Sequence, residues 1–134
     1  GTANCVAVHN GLAAIAVASS EINDNGYVVF YDGETGLHIQ NVEVGVLPDN
    51  LQFSPNGGKV VTANEGEPSD DYLIDPLGSV SIIDIDNGVP GTNSITIDFT
   101  SYDSQVETLK ANGVRIFGKG PDINAAASGL FFSE

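Results

Sequence analysis

Five carboxylates lie close together in the sequence and are its best candidates for chemistry. With the asparagine that precedes them, they form one acidic segment: Asn64, Glu65, Glu67, Asp70, Asp71 and Asp75. Ca²⁺ binds about six to eight oxygen ligands and accepts them from flexible loops. Close carboxylates also repel one another, so a bound cation would relieve that repulsion and stiffen the segment. The spacing therefore predicts a Ca²⁺ site, although it lacks the residue pattern of an EF-hand.

The composition leaves a plainer interpretation open, in which the acidic segment is simply a solvated loop. The chain has 134 residues and carries 18 acidic against four basic side chains, for a formal net charge of −14. A surface of this sign repels nucleic acid phosphates and anionic membranes, so neither is predicted as a partner. It suits cation binding or life outside the cell.

Residues for other kinds of catalysis are scarce, and we predict neither catalytic residues nor an organic cofactor. His9 and His38 lie on predicted strands and are interpreted as surface strand residues. The single cysteine, Cys5, has no cationic neighbour in sequence, and no G-x-S-x-G motif occurs. A metal-dependent phosphoesterase would need cations beside the carboxylates, and the fold would have to supply them from Lys59, Lys110, Arg115 and Lys119.

Short runs rich in β-branched residues, separated by glycine-rich turns, predict an all-β protein. Asn10-Gly11 is a strong hairpin signal, because both turn positions need a positive φ. Val89–Ser94 contains Pro and Gly and is predicted to be a loop. The predicted strands cover residues 5–9, 12–18, 27–31, 37–44, 51–54, 60–63, 80–85 and 95–99.

One short helix is predicted near residues 104–111. Ser104 and Glu107 match a capping box at its start, and Asn112-Gly113 matches a left-handed cap at its end. Val114–Phe117 is predicted to be a further strand.

Two parts of the chain repeat one plan. Gly11–Glu21 is similar to Gly57–Glu67, and Gly26–Gly36 is similar to Gly78–Gly88. A unit of four strands that recurs at about 40–50 residues is typical of a β-propeller blade. We therefore predict antiparallel propeller-type blades, about two and the start of a third, within a single domain or a fragment of a propeller. The units are a repeat at 5–44, a repeat at 47–99, a helix and closing strand at 100–118, and a tail at 119–134. A β-sandwich is the alternative.

The same stretch carries a family resemblance. Its motifs are Leu47-Pro48-Asp49, Phe53-Ser54-Pro55-Asn56-Gly57, Ala63-Asn64-Glu65-Gly66-Glu67-Pro68, Asp70-Asp71-Tyr72 and Gly78-Ser79-Val80. They resemble the choice-of-anchor I family of secreted and surface proteins, which groups with YVTN-type β-propellers and carries cell surface glycoprotein-like and alkaline-phosphatase-like labels. The resemblance implies an extracellular propeller and leaves the activity undefined, because a fold does not set a function.

Together these patterns suggest a non-catalytic structural or adhesion protein of the cell surface or extracellular space. We expect open sheet edges to pair between copies into an oligomer or filament, and Ca²⁺ to rigidify the acidic segment. The alternative is a fragment of a metal-dependent phosphoesterase, similar to propeller phosphatases and phytases. No apolar run is long enough for a membrane span. The chain begins Gly-Thr-Ala-Asn without Met, which indicates a secreted chain with a processed N-terminus, or a fragment.

Overall fold

Two four-stranded antiparallel sheets make up most of the chain in a computed structural model, which describes residues 1–71 and 73–116. Within each sheet, neighbouring strands are consecutive along the chain. Sheet 1 contains β1 (Thr2–His9), β2 (Leu12–Ala18), β3 (Asn25–Asp32) and β4 (His38–Val46). Sheet 2 contains β5 (Pro48–Phe53), β6 (Lys59–Asn64), β7 (Ser79–Asp86) and β8 (Val89–Asp98). The predicted all-β class, with antiparallel sheets and one short helix, is confirmed.

Two Asn-Gly turns close hairpins in the two sheets. Asn10 and Gly11 join β1 to β2 with φ angles of 46° and 81°. Asn87 and Gly88 join β7 to β8 with nearly the same angles, 49° and 81°. Positive φ at both central positions matches the right-handed twist of the flanking strands, which is why Asn-Gly favours such turns.

The second of these turns shows that the predicted loop at Val89–Ser94 is wrong. β8 begins at Val89, directly after the turn, and continues through Pro90 and Gly91. Proline has no backbone N–H to donate to a sheet, so it is tolerated on an edge strand such as β8. Pro90 and Gly91, which we interpreted as loop residues, therefore lie within an edge strand.

The helical segment after β8 differs from the prediction at its start. A 3-10 helix covers Thr100–Gln105, and α1 covers Val106–Ala111. The predicted capping box is wrong, because Ser104 lies inside the 3-10 helix and α1 has no side-chain cap hydrogen bond. A preceding 3-10 turn leaves no free position for a side-chain cap at residue 104.

The predicted end of α1 is confirmed. Gly113 has a φ of 87°, and its N–H donates to the carbonyl of Lys110 at 3.0 Å, while the N–H of Val114 donates to that of Leu109 at 3.0 Å. Residues 114–116 form no strand, so that prediction is wrong for them, and Phe117 lies outside the described residues. A strand needs a neighbour that pairs with its backbone, and alternation in sequence does not supply one.

The core lies between the two sheets. Alternate residues of each strand point to the same face, and one face of each sheet is buried against the other sheet. We call these the inner faces, and the opposite ones the outer faces. The buried apolar cluster between the inner faces contains Leu12, Ala14, Ala16, Val28, Phe30, Val42, Val44, Leu51, Val60, Ile83 and Ile85.

Strands β1 and β5 lie across this core and run in the same direction. The thiol of Cys5 donates to the carbonyl of Leu51 at 3.8 Å. Further along both strands, the ring of His9 stacks on that of Phe53 with centroids 5.6 Å apart. Because the contacts advance together along the two strands, the strands are parallel to each other across the core.

Strands β4 and β8 show the same relation at the other edge. The side-chain amide of Gln40 donates to the backbone carbonyl of Gly91 at 3.2 Å. The hydroxyl of Ser94 donates to the backbone carbonyl of Glu43 at 2.7 Å. Sheet 2 is therefore related to sheet 1 by a translation, with its strands in the same order and direction. We call this front-to-back packing. Two sheets related by a twofold axis would instead bring oppositely directed strands together.

The β3–β4 turn is organised by the side chain of Asp32. Its Oδ1 accepts hydrogen bonds from the N–H of Thr35 at 2.7 Å, from the hydroxyl of Thr35 at 2.7 Å and from the N–H of Glu34 at 3.0 Å. The N–H of Thr35 lowers the pKa of Asp32 most, followed by the hydroxyl of Thr35.

Because the pKa of Asp32 is lowered, we predict that the wild type loses unfolding free energy at low pH, and that Asp32→Asn lacks this part of the loss. The unfolded chain binds a proton at Asp32 before the folded chain does, so the stabilisation exists above the ordinary pKa of 3.8 and disappears as pH falls through the lowered value. We expect the difference in unfolding free energy between the wild type and Asp32→Asn to shrink below about pH 4. Urea unfolding across pH, with Glu34→Gln as control, measures it. A difference that stays constant down to about pH 2 would contradict this role.

Candidate functional site

Most loops that carry acidic residues meet at one end of the two-sheet stack. β2, β4, β6 and β8 all finish there, because each sheet is antiparallel and the two sheets run in the same direction. We call it the acidic end. Among the residues that the structure describes, nine acidic ones lie there, namely Glu21, Asp24, Asp49, Glu65, Glu67, Asp70, Asp71, Asp75 and Asp98.

The acidic loop, residues 65–78 between β6 and β7, is fixed to the β4–β5 junction. The N–H of Glu65 donates to the carbonyl of Leu47 at 2.8 Å, and the N–H of Gly66 donates to that of Val46 at 3.2 Å. Gly66 has a φ of 61°, and a Cβ there would lie 2.7 Å from the carbonyl carbon of Leu77. Glycine is therefore required at the point where the loop leaves the sheet.

Within the acidic loop, one carboxylate closes a tight turn. Asp71 Oδ1 accepts hydrogen bonds from the hydroxyl of Ser69 at 2.7 Å and from the N–H of Leu73 at 3.1 Å. The N–H of Ser69 donates to the carbonyl of Ile74 at 2.8 Å, which closes the same turn from the other side. This oxygen of Asp71 thus holds the backbone, as Asp commonly does in turns.

Asn64, one of the six predicted ligands, lies inside the protein. It is 3% exposed on the inner face of sheet 2, and its amide donates to the hydroxyls of Ser79 at 3.0 Å and Ser81 at 2.9 Å. The hydroxyl of Ser81 is in turn 2.9 Å from that of Thr96. These four side chains form a polar ladder across β6, β7 and β8. A Cβ on Gly45 of sheet 1 would collide with it.

The other five predicted ligands lie in the acidic loop. Glu65, Glu67, Asp70 and Asp71 are exposed, and Asp75 is half-buried. Within residues 1–71 and 73–116, no group of three or more His, Cys, Asp or Glu side chains is arranged to hold a metal ion. The loop thus presents its carboxylates to solvent without directing three of them at one point, and the Ca²⁺ site stays a prediction.

A groove at the acidic end adds two carboxylates that the sequence analysis did not include. It has a volume of about 170 Å³, and Glu21, Asp24 and Glu67 line it together with Ile22 and Leu47. The repeat carried a signal for this, because it aligns Glu21 with Glu67. Equivalent loops of two sheets that run in the same direction must come together at the same end.

A second, wider groove of about 410 Å³ lies beside it. Asn23, Asn25 and Asp98 are among the residues that line it. The carboxylate of Asp98 accepts hydrogen bonds from the hydroxyl and the N–H of Thr100, at 2.7 and 3.1 Å, and the amide of Asn25 donates to Glu43 at 3.0 Å. The two grooves make the acidic end concave, and its nine carboxylates make it strongly negative.

Lys59 stands away from this concentration of acids. It begins β6 at the opposite end of sheet 2 and forms an ion pair with Asp84. Lys110, on α1, pairs with Glu107 at 3.3 Å. Lys119 lies outside the described residues. Lys59 and Lys110 are thus each paired with an acid that lies outside the acidic loop.

Residues 1–130 match the family model of the choice-of-anchor I domain. The chain therefore belongs to this family, as the motifs around Asn64 and Ser79 suggested. No curated protein and no solved structure matches the chain. The family is one of surface-anchored or extracellular proteins, so this chain belongs to that class. Among the described residues, none of the helices has the length and apolar character that a membrane crossing requires.

The position of Asn64 predicts a structural effect of its replacement. Asn64→Ala leaves the hydroxyls of Ser79 and Ser81 without their shared partner, so we expect a loss of about 1–3 kcal/mol in unfolding free energy. The loss should be the same in EDTA and in Ca²⁺. Urea unfolding measures it, with the exposed Asn93→Ala as a control that costs less than about 0.5 kcal/mol. If Asn64→Ala has no effect in EDTA and a clear effect in Ca²⁺, Asn64 is a ligand instead.

Proposed function

We propose that this chain is a non-catalytic structural or adhesion module of a secreted or cell-surface protein. In this proposal it associates with further copies of itself, and Ca²⁺ rigidifies its acidic end. Family membership supports the surface location. The single observation that carries the cation proposal is the collection of nine carboxylates at one end of the stack, four of which line two grooves there.

Electrostatics explains why this arrangement favours a divalent cation. Each carboxylate raises the local negative potential, and concave surfaces concentrate that potential. Ca²⁺ tolerates irregular geometry and a mixture of carboxylate, amide and backbone oxygens. The exposed side chains of Glu67 and Asp70 can turn toward an ion without disturbing the bonds that fix the loop backbone.

The ion pairs of Lys59 and Lys110 support a role without phosphate chemistry. A phosphoesterase that uses clustered carboxylates and metal ions also needs positive groups beside the phosphate. Lys59 begins β6 at the far end of the sheet from the acidic loop, and its ammonium group is engaged by Asp84. A binding or structural role requires only the carboxylates.

Thermal unfolding at constant ionic strength tests the cation proposal. We expect millimolar Ca²⁺ to raise the Tm by about 5 °C or more over EDTA, because an ion that binds only the folded state stabilises it. Glu65→Gln/Glu67→Gln should lose most of this increase. The matched control is Glu34→Gln/Asp86→Asn, which removes the same charge at the opposite end and should keep the increase.

Two results would contradict Ca²⁺ binding at the acidic end. One is an equal increase in Tm from Ca²⁺, Mg²⁺ and a monovalent salt of matched ionic strength, which would indicate screening of the net charge alone. The other is an equal loss of the Ca²⁺ response in both double variants.

A further inference from the structure

The smaller groove at the acidic end is lined by apolar and acidic residues together. We call this groove of about 170 Å³ the narrow groove, and the one of about 410 Å³ the wide groove. The lining of the narrow groove contains three carboxylates and five apolar residues, namely Glu21, Asp24, Glu67, Ala18, Ile22, Val46, Leu47 and Pro68. Among the described residues that line it, none carries a positive charge. Such a lining suits a ligand that is aliphatic along its length and cationic at its end.

The three carboxylates of the narrow groove come from two separate segments, one in each repeat. Glu21 and Asp24 lie in the β2–β3 loop, and Glu67 lies in the acidic loop. The N–H of Glu21 donates to the hydroxyl of Ser19 at 3.1 Å, and the N–H of Asp24 donates to the carbonyl of Glu21 at 3.1 Å. These bonds hold the backbone of the β2–β3 loop, while all three acidic side chains are exposed. The negative charge is therefore distributed over two loops and stays open to a ligand.

An arginine side chain matches this combination of apolar and acidic surface. Its guanidinium group is always charged and carries five N–H donors in a planar fork, so it can bond to carboxylates that lie apart. A lysine ammonium is a single point charge and reaches fewer separate acids. The methylene groups of arginine pack on apolar surface while the charged head stays with the acids. The narrow groove is also smaller than the roughly 300–1,000 Å³ of pockets for small-molecule ligands, so its size fits one side chain.

The wide groove continues from the narrow one, because Val46 lines both. Its lining includes Leu77, an aliphatic side chain that is 43% exposed, and the polar residues Asn23 and Ser79. An extended peptide that places one side chain in the narrow groove can therefore lay its next residues along the wide groove.

The wide groove also borders a buried hydrogen-bond acceptor that the chain leaves open. Asn64 contacts two of the residues that line this groove. Its amide donates to Ser79, and a Cβ on Gly45 would lie 2.6 Å from its Nδ2. Asn64 is 3% exposed, and within the part of the chain that the structure describes its Oδ1 has no hydrogen-bond partner. A buried acceptor is unfavourable until a donor reaches it, and a peptide in the wide groove would supply N–H donors next to it.

Charge complementarity indicates that this arginine belongs to a different protein. Lys59 and Lys110 are each paired with an acid that lies outside the narrow groove. A second copy of the chain carries the same net charge of −14 and is repelled from the acidic end. A partner with a basic segment is attracted by that charge, which raises its rate of association.

We infer that the acidic end binds an extended, arginine-containing segment of a partner protein. One arginine side chain lies in the narrow groove, and the adjoining residues lie along the wide groove. The inference rests on the adhesion role proposed above and names the chemistry of the partner. It requires neither the Ca²⁺ response nor self-association, so those parts of the proposed function succeed or fail in tests of their own.

A chemical-shift titration of the isotope-labelled full chain with synthetic peptides tests this inference. The probe is the peptide Gly-Ser-Gly-Arg-Gly-Ser-Gly, used in EDTA at low ionic strength. Two matched peptides replace its arginine by lysine or by citrulline, which has nearly the same shape as arginine and no charge. We expect the arginine peptide to shift the backbone amide signals of Glu21, Asp24 and Glu67. The citrulline peptide should bind about tenfold more weakly or less, and the lysine peptide should lie between the two.

Substitutions in the chain separate binding in the groove from general attraction to an acidic surface. Glu21→Gln/Asp24→Asn should weaken binding of the arginine peptide by about tenfold. Glu34→Gln/Asp86→Asn removes the same charge at the opposite end and should change the affinity by less than about twofold. Ile22→Ser leaves the charge unchanged and alters a side chain that is 42% exposed, and it should weaken binding by about threefold. Circular dichroism checks that each variant is folded.

Each other outcome overturns the inference in a recognisable way. Equal binding of the arginine and citrulline peptides, or no shift at the groove with either, removes the arginine site. Equal binding of the lysine peptide leaves a cation site without a preference for arginine. An equal loss in both double variants, or no loss in Ile22→Ser, reduces the acidic end to a diffuse negative surface. Groove signals that move in Arg115→Gln without any peptide would assign the groove to that arginine of the chain itself.

Discussion

The contact between the inner faces of the two sheets is the interaction on which the rest of the molecule depends. A four-stranded meander cannot bury a face by itself, so each sheet needs the other to remove its apolar residues from water. Phe30 and Val28 from sheet 1 meet Leu51 and Ile83 from sheet 2 in this layer. The strands on its two sides run in the same direction, and this determines which loops meet at the acidic end.

The acidic end is a consequence of that packing, and the sequence motif at its border also supplies hydrogen bonds inside the protein. Loops of the two repeats meet there because the sheets run in one direction, which places Glu21 beside Glu67 in a groove. The motif around Asn64 has two parts with different roles. Its asparagine joins Ser79 and Ser81 in the polar ladder, whereas the acids that follow lie on the surface. A single short motif thus supplies an internal hydrogen-bond network and a negative surface.

The strands of both sheets and the Asn10-Gly11 hairpin could be predicted because period-2 patterns and turn residues are local signals. The start of β8 could not, since a strand accepts Pro90 here because β8 is an edge strand, and which strands are edges is set by the whole sheet. Asn64 looked like a ligand because its side chain carries an oxygen beside acids. Whether it faces inward depends on strand register, and a shift of one residue reverses every side chain. Placing Glu21 in the same groove as Glu67 required the relative direction of the two sheets, which no local sequence pattern contains.

The direction of β1 relative to β5 is the central claim, and nuclear Overhauser contacts in the folded chain test it most directly. Front-to-back packing predicts cross-peaks between the rings of His9 and Phe53, and between Cys5 and Leu51. Sheets related by a twofold axis would give the reverse order, with Cys5 near Phe53 and His9 near Pro48. That reverse pattern would contradict the front-to-back stacking of the two sheets.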